Sequence, residues 1–146
     1  MEQRFNFQQS HPEAYKALYH LSVITAKSSL TPIQRELIKI RASQINGCAF
    51  CIDMHTKEAL QIGETQQRIF LLNAWRETDL FTEEEKALLA VTEEVTLLHQ
   101  KGISDATYRQ AEKCFSPQVI GDIVLATLVI NSWNRIAVSS LLPVPR

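Results

Sequence analysis

The segment NGCAFCIDMH, residues 46–55, holds the residues around which this 146-residue chain is organised. Its opening Asn-Gly pair typically ends a helix, so we predict that a new helix begins with Cys48 in its first turn. Cys48, Cys51 and His55 follow one another at i, i+3 and i+7, a spacing that places all three on one face of that helix. This helix carries the only CxxC of the sequence and is therefore the candidate for thiol chemistry.

Thiol chemistry at this position requires that a cysteine lose its proton near neutral pH. The pKa of a free cysteine is ~8.5, and lowering it by about two units requires roughly 2.7 kcal/mol. The N-terminus of a helix supplies only ~0.3–1 kcal/mol, so a second group must take or balance the proton. His55 lies four residues after Cys51, within reach across one helical turn. The pair predicts an activated nucleophile and its base.

Two other interpretations of the cysteine pair stay open on the residues alone. Cys48, Cys51 and His55 could bind zinc together with one further group, or the cysteines could be small hydrophobic residues packed in a core. The absence of a second Cys or His pair at zinc-finger spacing weakens structural zinc, and a histidine in register weakens simple packing. The residues favour redox chemistry. The third cysteine, Cys114, lies near a helix end and is interpreted as a packing residue.

Helix-start and helix-stop signals account for almost the whole chain outside this segment. The strongest are Thr31-Pro32 followed by Gln34, and Thr82 followed by Glu85, which have the capping-box pattern. We predict helices over residues 12–26, 31–45, 48–62, 65–75, 82–101, 104–114 and 117–139. No alternating strand, linker or low-complexity segment interrupts them, so the sequence predicts an all-α fold with residues 1–146 in a single domain.

The last predicted helix is apolar around most of its circumference between Ile120 and Ile136. A helix of this kind must be buried on nearly all sides, which in a chain this small predicts a central helix partly covered by another subunit. Asn131, Asn134 and Arg135 interrupt the apolar surface and are interpreted as structural or interface polar groups.

Composition excludes several classes of function. The chain has 15 basic and 16 acidic residues, a net charge of −1 and no basic run accompanied by aromatic residues, which argues against a nucleic-acid partner. An odd number of cysteines, two of them in CxxC, argues for a reducing compartment. The N-terminal residues lack the apolar region of a signal peptide, and the apolar run 123–130 is too short to span a bilayer. We therefore expect a cytoplasmic protein without a membrane partner.

Glu36, then eleven residues, then Cys48-x-x-Cys51-x-x-x-His55 resembles the core motif of AhpD-like alkylhydroperoxidases, within the carboxymuconolactone decarboxylase superfamily. The motif covers about twenty residues, and the Leu-Thr-Pro opening of residues 30–32 and the Asn131-x-x-Asn134-Arg135 ending also match. The joint spacing of four chemically committed residues is much more specific than CxxC alone. The resemblance also draws attention to Glu36, which a charged position in a helix would assign to a solvated face.

The resemblance implies an all-helical subunit that assembles into homotrimers or homohexamers and reduces alkyl or hydrogen peroxides as an antioxidant enzyme. It implies that Cys51 attacks the peroxide, that His55 and Glu36 form the proton relay, and that Cys48 resolves the sulfenic acid to a disulfide. We therefore expect oxidation to join Cys48 and Cys51, whose spacing permits close approach. An external dithiol of lipoyl or thioredoxin type would restore the reduced state, and neither a metal, a flavin nor a haem is required.

One position departs from the family pattern. Well-studied members have a second histidine immediately before the second cysteine, where this chain has Phe50, which implies a shorter relay and a weaker activity or another substrate. Two alternatives from other classes remain: a dithiol–disulfide oxidoreductase or redox sensor that acts on a protein partner, and a metal-binding module that uses Cys48, Cys51, His55 and Glu36.

Overall fold

The computed structural model describes residues 2–145, and within that range it consists of helices and loops without a strand. The α-helices are α1 (Phe7–Ser10), α2 (Pro12–Ala26), α3 (Pro32–Asn46), α4 (Ala49–Gln61), α5 (Gln66–Leu71), α6 (Glu83–Thr96), α7 (Asp105–Glu112) and α8 (Pro117–Ser140). Two 3₁₀ helices occupy Leu72–Glu77 and Leu98–Gln100. The all-α prediction is confirmed, and α1 is an element that the sequence patterns did not predict.

The predicted capping boxes set the starts of α3 and α6. The Thr31 hydroxyl accepts a hydrogen bond from the Gln34 amide at 3.1 Å, and the Gln34 side chain accepts one from the Thr31 amide at 2.9 Å. Thr82 and Glu85 make the same reciprocal pair at 3.2 and 2.9 Å. Each box satisfies two backbone donors that a helix start leaves without a partner, which is why these boundaries were predictable.

Two predicted helices end earlier than their patterns indicate. The helix that begins after Thr65 changes to a 3₁₀ helix at Leu72, where Ala74 leaves helical geometry and Trp75 turns into the core to donate to Glu93 at 2.9 Å. Helix α6 ends at Thr96 and not near Gly102. In both places a tertiary contact overrides the local helical preference.

Helix α8 packs against α2, α3, α4, α6 and α7 and forms the centre of the fold. Its buried side includes Ile120, Ile123 and Ile130, but Leu128 is 48% exposed, so one chain does not cover the helix on all sides. By length and composition alone, α8, with a mean hydropathy of 1.2 over its most apolar window, could cross a membrane. A central core helix meets the same criteria.

A buried polar network joins the end of α3 to α8. The Asn46 side chain donates to both the Asn131 and Asn134 side chains at 2.9 Å, and Asn134 donates to the Ser43 hydroxyl at 2.9 Å. Asn131 also donates to the Thr96 hydroxyl at 3.1 Å. Asn131 and Asn134 are therefore structural groups, and they hold the last turn of α3 directly before the cysteine helix.

Candidate active site

The turn between α3 and α4 presents the two cysteines. Gly47 ends α3 in the left-handed conformation with φ of 67°, where a residue with a side chain would be strained. The Cys48 amide then donates to the Ser43 carbonyl at 3.0 Å, and the Cys48 sulfur accepts from the Cys51 amide at 3.3 Å. Cys48 is thus the N-cap residue of α4, one position before the helical turn in which the sequence placed it.

Cys48 and Cys51 are joined by a disulfide, with Cα atoms 5.4 Å apart. Both are buried in the core, with exposed fractions of 1% and 3% respectively. Cys114 is a free thiol of intermediate burial and takes no part in this bond. The structure therefore represents the oxidised state of the dithiol.

His55 is held by two carboxylates that approach the same ring nitrogen. Its Nδ1 lies 3.0 Å from Oε2 of Glu36, on α3, and 2.9 Å from Oε2 of Glu58, one turn further along α4. A carboxylate can only accept in such a contact, so Nδ1 carries the proton. In the neutral ring the other nitrogen, Nε2, is then the unprotonated one and can accept a proton.

Glu36 is buried and paired on both oxygens. Lys39 Nζ lies 2.7 Å from its Oε1, while His55 occupies Oε2. Burial raises the pKa of Glu36, but the hydrogen bond from His55, together with the charge and hydrogen bond of Lys39, outweighs burial and lowers that pKa below its ordinary value. Glu36 is therefore ionised at neutral pH and presents a fixed negative charge to the imidazole.

A cavity of about 640 Å³ lies next to Cys51 and His55. Cys51, His55 and Glu58 line it, whereas Cys48 and Glu36 are not among its lining residues. Aromatic side chains form much of its wall: Phe7, Tyr15, Tyr19, Phe50 and Trp133. Phe50 occupies the position where well-studied AhpD-like proteins have a histidine. The cavity beside Cys51 is therefore more apolar than it would be with a histidine there. A small molecule in the cavity can meet Cys51 and His55 together.

The structure places the four sequence-predicted residues in two connected pairs: Cys48 with Cys51 through the disulfide, and His55 with Glu36 through a hydrogen bond. Sequence reasoning missed Glu58 and Lys39. Spacing could have indicated both, since Glu58 lies three residues after His55 and Lys39 three residues after Glu36. The histidines left out of the site, His11, His20 and His99, are exposed.

The metal-binding alternative predicted a site made of both cysteines, His55 and Glu36, but the fold groups a different set of possible ligands. In the described residues, a group able to hold an ion consists of Glu36, His55 and Glu58, whose candidate ligand atoms lie within 4.8 Å of one another. Cys48 and Cys51 are bonded to each other and are not thiolate ligands in this state. The same three residues also satisfy one another as hydrogen-bonding partners around Nδ1.

The chain is similar in sequence and in fold to known proteins. The sequence profile of the carboxymuconolactone decarboxylase family matches residues 11–94. The chain is 45% identical over 139 residues to the uncharacterized protein YdfG of Bacillus subtilis strain 168, covering 95% of each. It is similar in structure to ATU0492 of Agrobacterium tumefaciens, suggested to be the antioxidant defence protein AhpD, with a TM-score of 0.96, 41% identity and 99% of each chain covered.

The chain is also similar in structure to a longer and more distantly related protein. An uncharacterized peroxidase-related protein from Silicibacter sp. TM1040 superimposes with a TM-score of 0.75 at 25% identity. The match covers 89% of this chain and 68% of that protein.

Proposed function

Because this chain belongs to the carboxymuconolactone decarboxylase family and has the AhpD-like fold, we propose that it is a thiol-dependent peroxidase that reduces organic or hydrogen peroxides. The observation that carries the proposal is the cavity that both Cys51 and His55 line, with the imidazole oriented by Glu36 and Glu58. Cys48 does not line the cavity, and it is bonded to Cys51 in this oxidised state.

The reaction begins from the reduced dithiol. His55 accepts the Cys51 proton at Nε2, and the negative charge of Glu36 stabilises the resulting imidazolium. The thiolate attacks the peroxide: the O–O bond breaks, and the sulfur gains a hydroxyl group as sulfenic acid. The other oxygen takes a proton from His55 and leaves as an alcohol from an organic hydroperoxide, or as water from hydrogen peroxide. The Cys48 thiol then displaces the sulfenic hydroxyl as water and forms the disulfide.

An external dithiol must return the two electrons. Its thiolate attacks the disulfide, and a second thiol of the same donor closes the donor's own disulfide and releases both cysteines reduced. Cys51 lines the cavity and Cys48 does not, which favours approach of the donor from the cavity side. A lipoyl- or thioredoxin-type donor and a cytoplasmic location belong to this proposal, because such donors are maintained in reducing compartments.

The test is peroxide consumption by the reduced protein with dihydrolipoamide or a thioredoxin-type dithiol as donor. We expect Cys51→Ser to abolish turnover, and Cys48→Ser to leave a sulfenic acid on Cys51 that a sulfenic-acid-specific nucleophile traps in one turnover. Cys114→Ser is the matched control and should retain wild-type turnover, since Cys114 is remote from the disulfide pair in the chain and is not among the cavity residues.

Two outcomes would overturn the proposal. Rapid thiol–disulfide exchange with protein thiols but no peroxide-dependent oxidation of Cys51 would identify a dithiol–disulfide oxidoreductase or redox sensor. A stoichiometric metal in freshly purified protein, lost in Glu58→Gln, would identify a metal-binding module built on Glu36, His55 and Glu58.

A further inference from the structure

The cavity in front of Cys51 combines an apolar wall with the guanidinium of Arg35, which makes no ion pair among the described residues. Apart from the aromatic side chains, the wall includes aliphatic groups of α8 such as Val129, Ile130 and Ile136. A volume of about 640 Å³ lies within the ~300–1,000 Å³ typical of small-molecule sites. A molecule that fills this cavity would have a sizeable apolar body, which hydrogen peroxide lacks.

The charged groups that line this cavity are mostly paired. Lys39 is bound to Glu36 at 2.7 Å, and Glu58 is bound to His55 at 2.9 Å. Arg35 is different: in the described part of the chain it makes no ion pair, and its hydrogen bond is donated by Nη1 to the Leu30 carbonyl. A guanidinium has five N–H donors in a planar fork, so most of its donors are available to a ligand.

Arg35 is also positioned relative to the reactive group. It lies one residue before Glu36 and four residues before Lys39 on α3, so Arg35 and Lys39 share a face of that helix and both line the cavity. A ligand group held by Arg35 is therefore about one helical turn, ~5.4 Å along α3, from Lys39, which contacts the Glu36–His55 pair. The apolar body of the ligand would extend from Arg35 to Cys51.

We infer that the substrates are hydroperoxides of apolar carboxylic acids, with an acyl or aromatic body in the cavity, the carboxylate on Arg35 and the hydroperoxide at Cys51. This inference rests on the proposed function for its reaction. A guanidinium without an ion pair in an apolar cavity suits a ligand that carries a negative charge, and its fork matches a carboxylate in a bidentate arrangement. The reaction is the one written above, so the product is the hydroxy acid and the electrons come from the external dithiol.

Binding can be tested on the oxidised protein, in which no turnover occurs. The probes are 4-phenylbutanoate and its neutral isostere 4-phenylbutanamide, titrated by tryptophan fluorescence because Trp133 lines the cavity. We expect the carboxylate to bind about tenfold or more tightly than the amide, as a charge-assisted hydrogen bond allows. Arg35→Gln should remove that preference, while Arg109→Gln, a control on α7 outside the cavity, should retain it.

Equal affinity of wild type for the two probes would overturn the inference, and so would an Arg35→Gln variant that keeps the preference. The wild-type comparison needs no variant, so it decides even where Arg35→Gln fails to fold. A protein that consumes tert-butyl hydroperoxide but does not distinguish the probes refutes only this inference. A protein that prefers the carboxylate probe but consumes neither a carboxylated hydroperoxide nor its methyl ester would refute the proposed peroxidase function. The conclusion that the cavity binds apolar carboxylates would still stand.

Discussion

The two carboxylates on His55 differ in their exposure to solvent, and this difference separates their roles. The Glu36 side chain is 10% exposed and bound on both oxygens, whereas the Glu58 side chain is 46% exposed. Water and salt screen an exposed charge, so Glu58 stabilises an imidazolium much less than Glu36 does. Glu58 orients the ring from the cavity side, and Glu36 supplies the buried negative charge.

We predict that Glu36→Gln slows the reaction of reduced Cys51 more than Glu58→Gln does. Glutamine can still accept from Nδ1, so the ring keeps its tautomer, but the charge that stabilises the imidazolium is lost. The pH midpoint of Cys51 alkylation should rise by about one unit, equivalent to ~1.36 kcal/mol, and peroxide-driven oxidation at neutral pH should slow about tenfold.

The measurement is the alkylation rate of the reduced protein against pH, with circular dichroism to check folding. The helix should be little disturbed because glutamine is nearly as good a helix former as glutamate. Identical profiles for Glu36→Gln and wild type would show that Glu36 is structural and would leave His55 as the only base.

At the residue scale the sequence predicted the groupings of side chains that follow from local spacing, and it failed where a contact depends on packing between helices. Cys48, Cys51 and His55 follow from spacing along one helix. Glu36 meets His55 from a different helix, so no periodicity could connect them, and the family resemblance alone brought it into the site. Glu58 was overlooked because an acid in a helix is usually solvated, although it lies in register with His55.

One buried acid of α6, Glu93, binds side chains of two neighbouring elements, α3 and the 3₁₀ helix Leu72–Glu77. Its carboxylate accepts from Arg41 Nε of α3 at 2.7 Å and from the Trp75 indole at 2.9 Å, and it pairs with Arg76. Burial raises the pKa of Glu93, but the hydrogen bonds from Trp75, Arg76 and Arg41 outweigh burial and lower that pKa below its ordinary value. A group whose folded pKa is depressed stabilises the fold above its unfolded pKa, and that stabilisation is lost as pH falls through the folded value.

We predict that Glu93→Gln lowers the free energy of unfolding by about 2–4 kcal/mol at pH 7, because it leaves Arg41, whose side chain is only 16% exposed, without its counter-charge. Urea unfolding measures this, with Glu84→Gln, an exposed acid on the same helix, as a control that should change stability by at most ~1 kcal/mol. The difference between wild type and Glu93→Gln should narrow as the pH falls below the ordinary glutamate value of 4.5. A difference that stays constant with pH would show that packing, and not charge, stabilises this junction.

Contacts between residues distant in sequence explain the element boundaries that the sequence could not predict. Capping boxes at Thr31 and Thr82 are local hydrogen-bond patterns, and both were predicted correctly. The change to a 3₁₀ helix at Leu72 brings Trp75 to a carboxylate 18 residues later, a requirement that is invisible in the local pattern. The early end of α6 also depends on such contacts. The Glu94 side chain accepts hydrogen bonds from Ser104 and Thr107, which hold the start of α7 against α6.

At the scale of the whole molecule, exposed large apolar side chains lie on several helices, among them α2 and α8, which pack together. Tyr19 and Ile24 of α2 are 59% and 45% exposed, and Leu128 and Val138 of α8 are 48% and 44% exposed. The sequence predicted that α8 is apolar beyond what one chain can cover, and the exposed positions on α8 fit that expectation. Several large apolar groups on adjoining helices are typical of a protein–protein interface.

We predict that the protein is a homotrimer or homohexamer with this α2–α8 surface in an interface. Light scattering at micromolar concentration should report three or six times the subunit mass of 16.6 kDa. Leu128→Glu introduces a charge that would be buried without a partner in the assembly, so it should shift the mass toward that of the monomer. Leu98→Glu is the matched control: Leu98 is 70% exposed but lies on neither α2 nor α8, and its replacement should leave the mass unchanged. A wild-type mass of 16.6 kDa would refute the oligomer, and an assembly disrupted by Leu98→Glu but not by Leu128→Glu would move the interface away from α8.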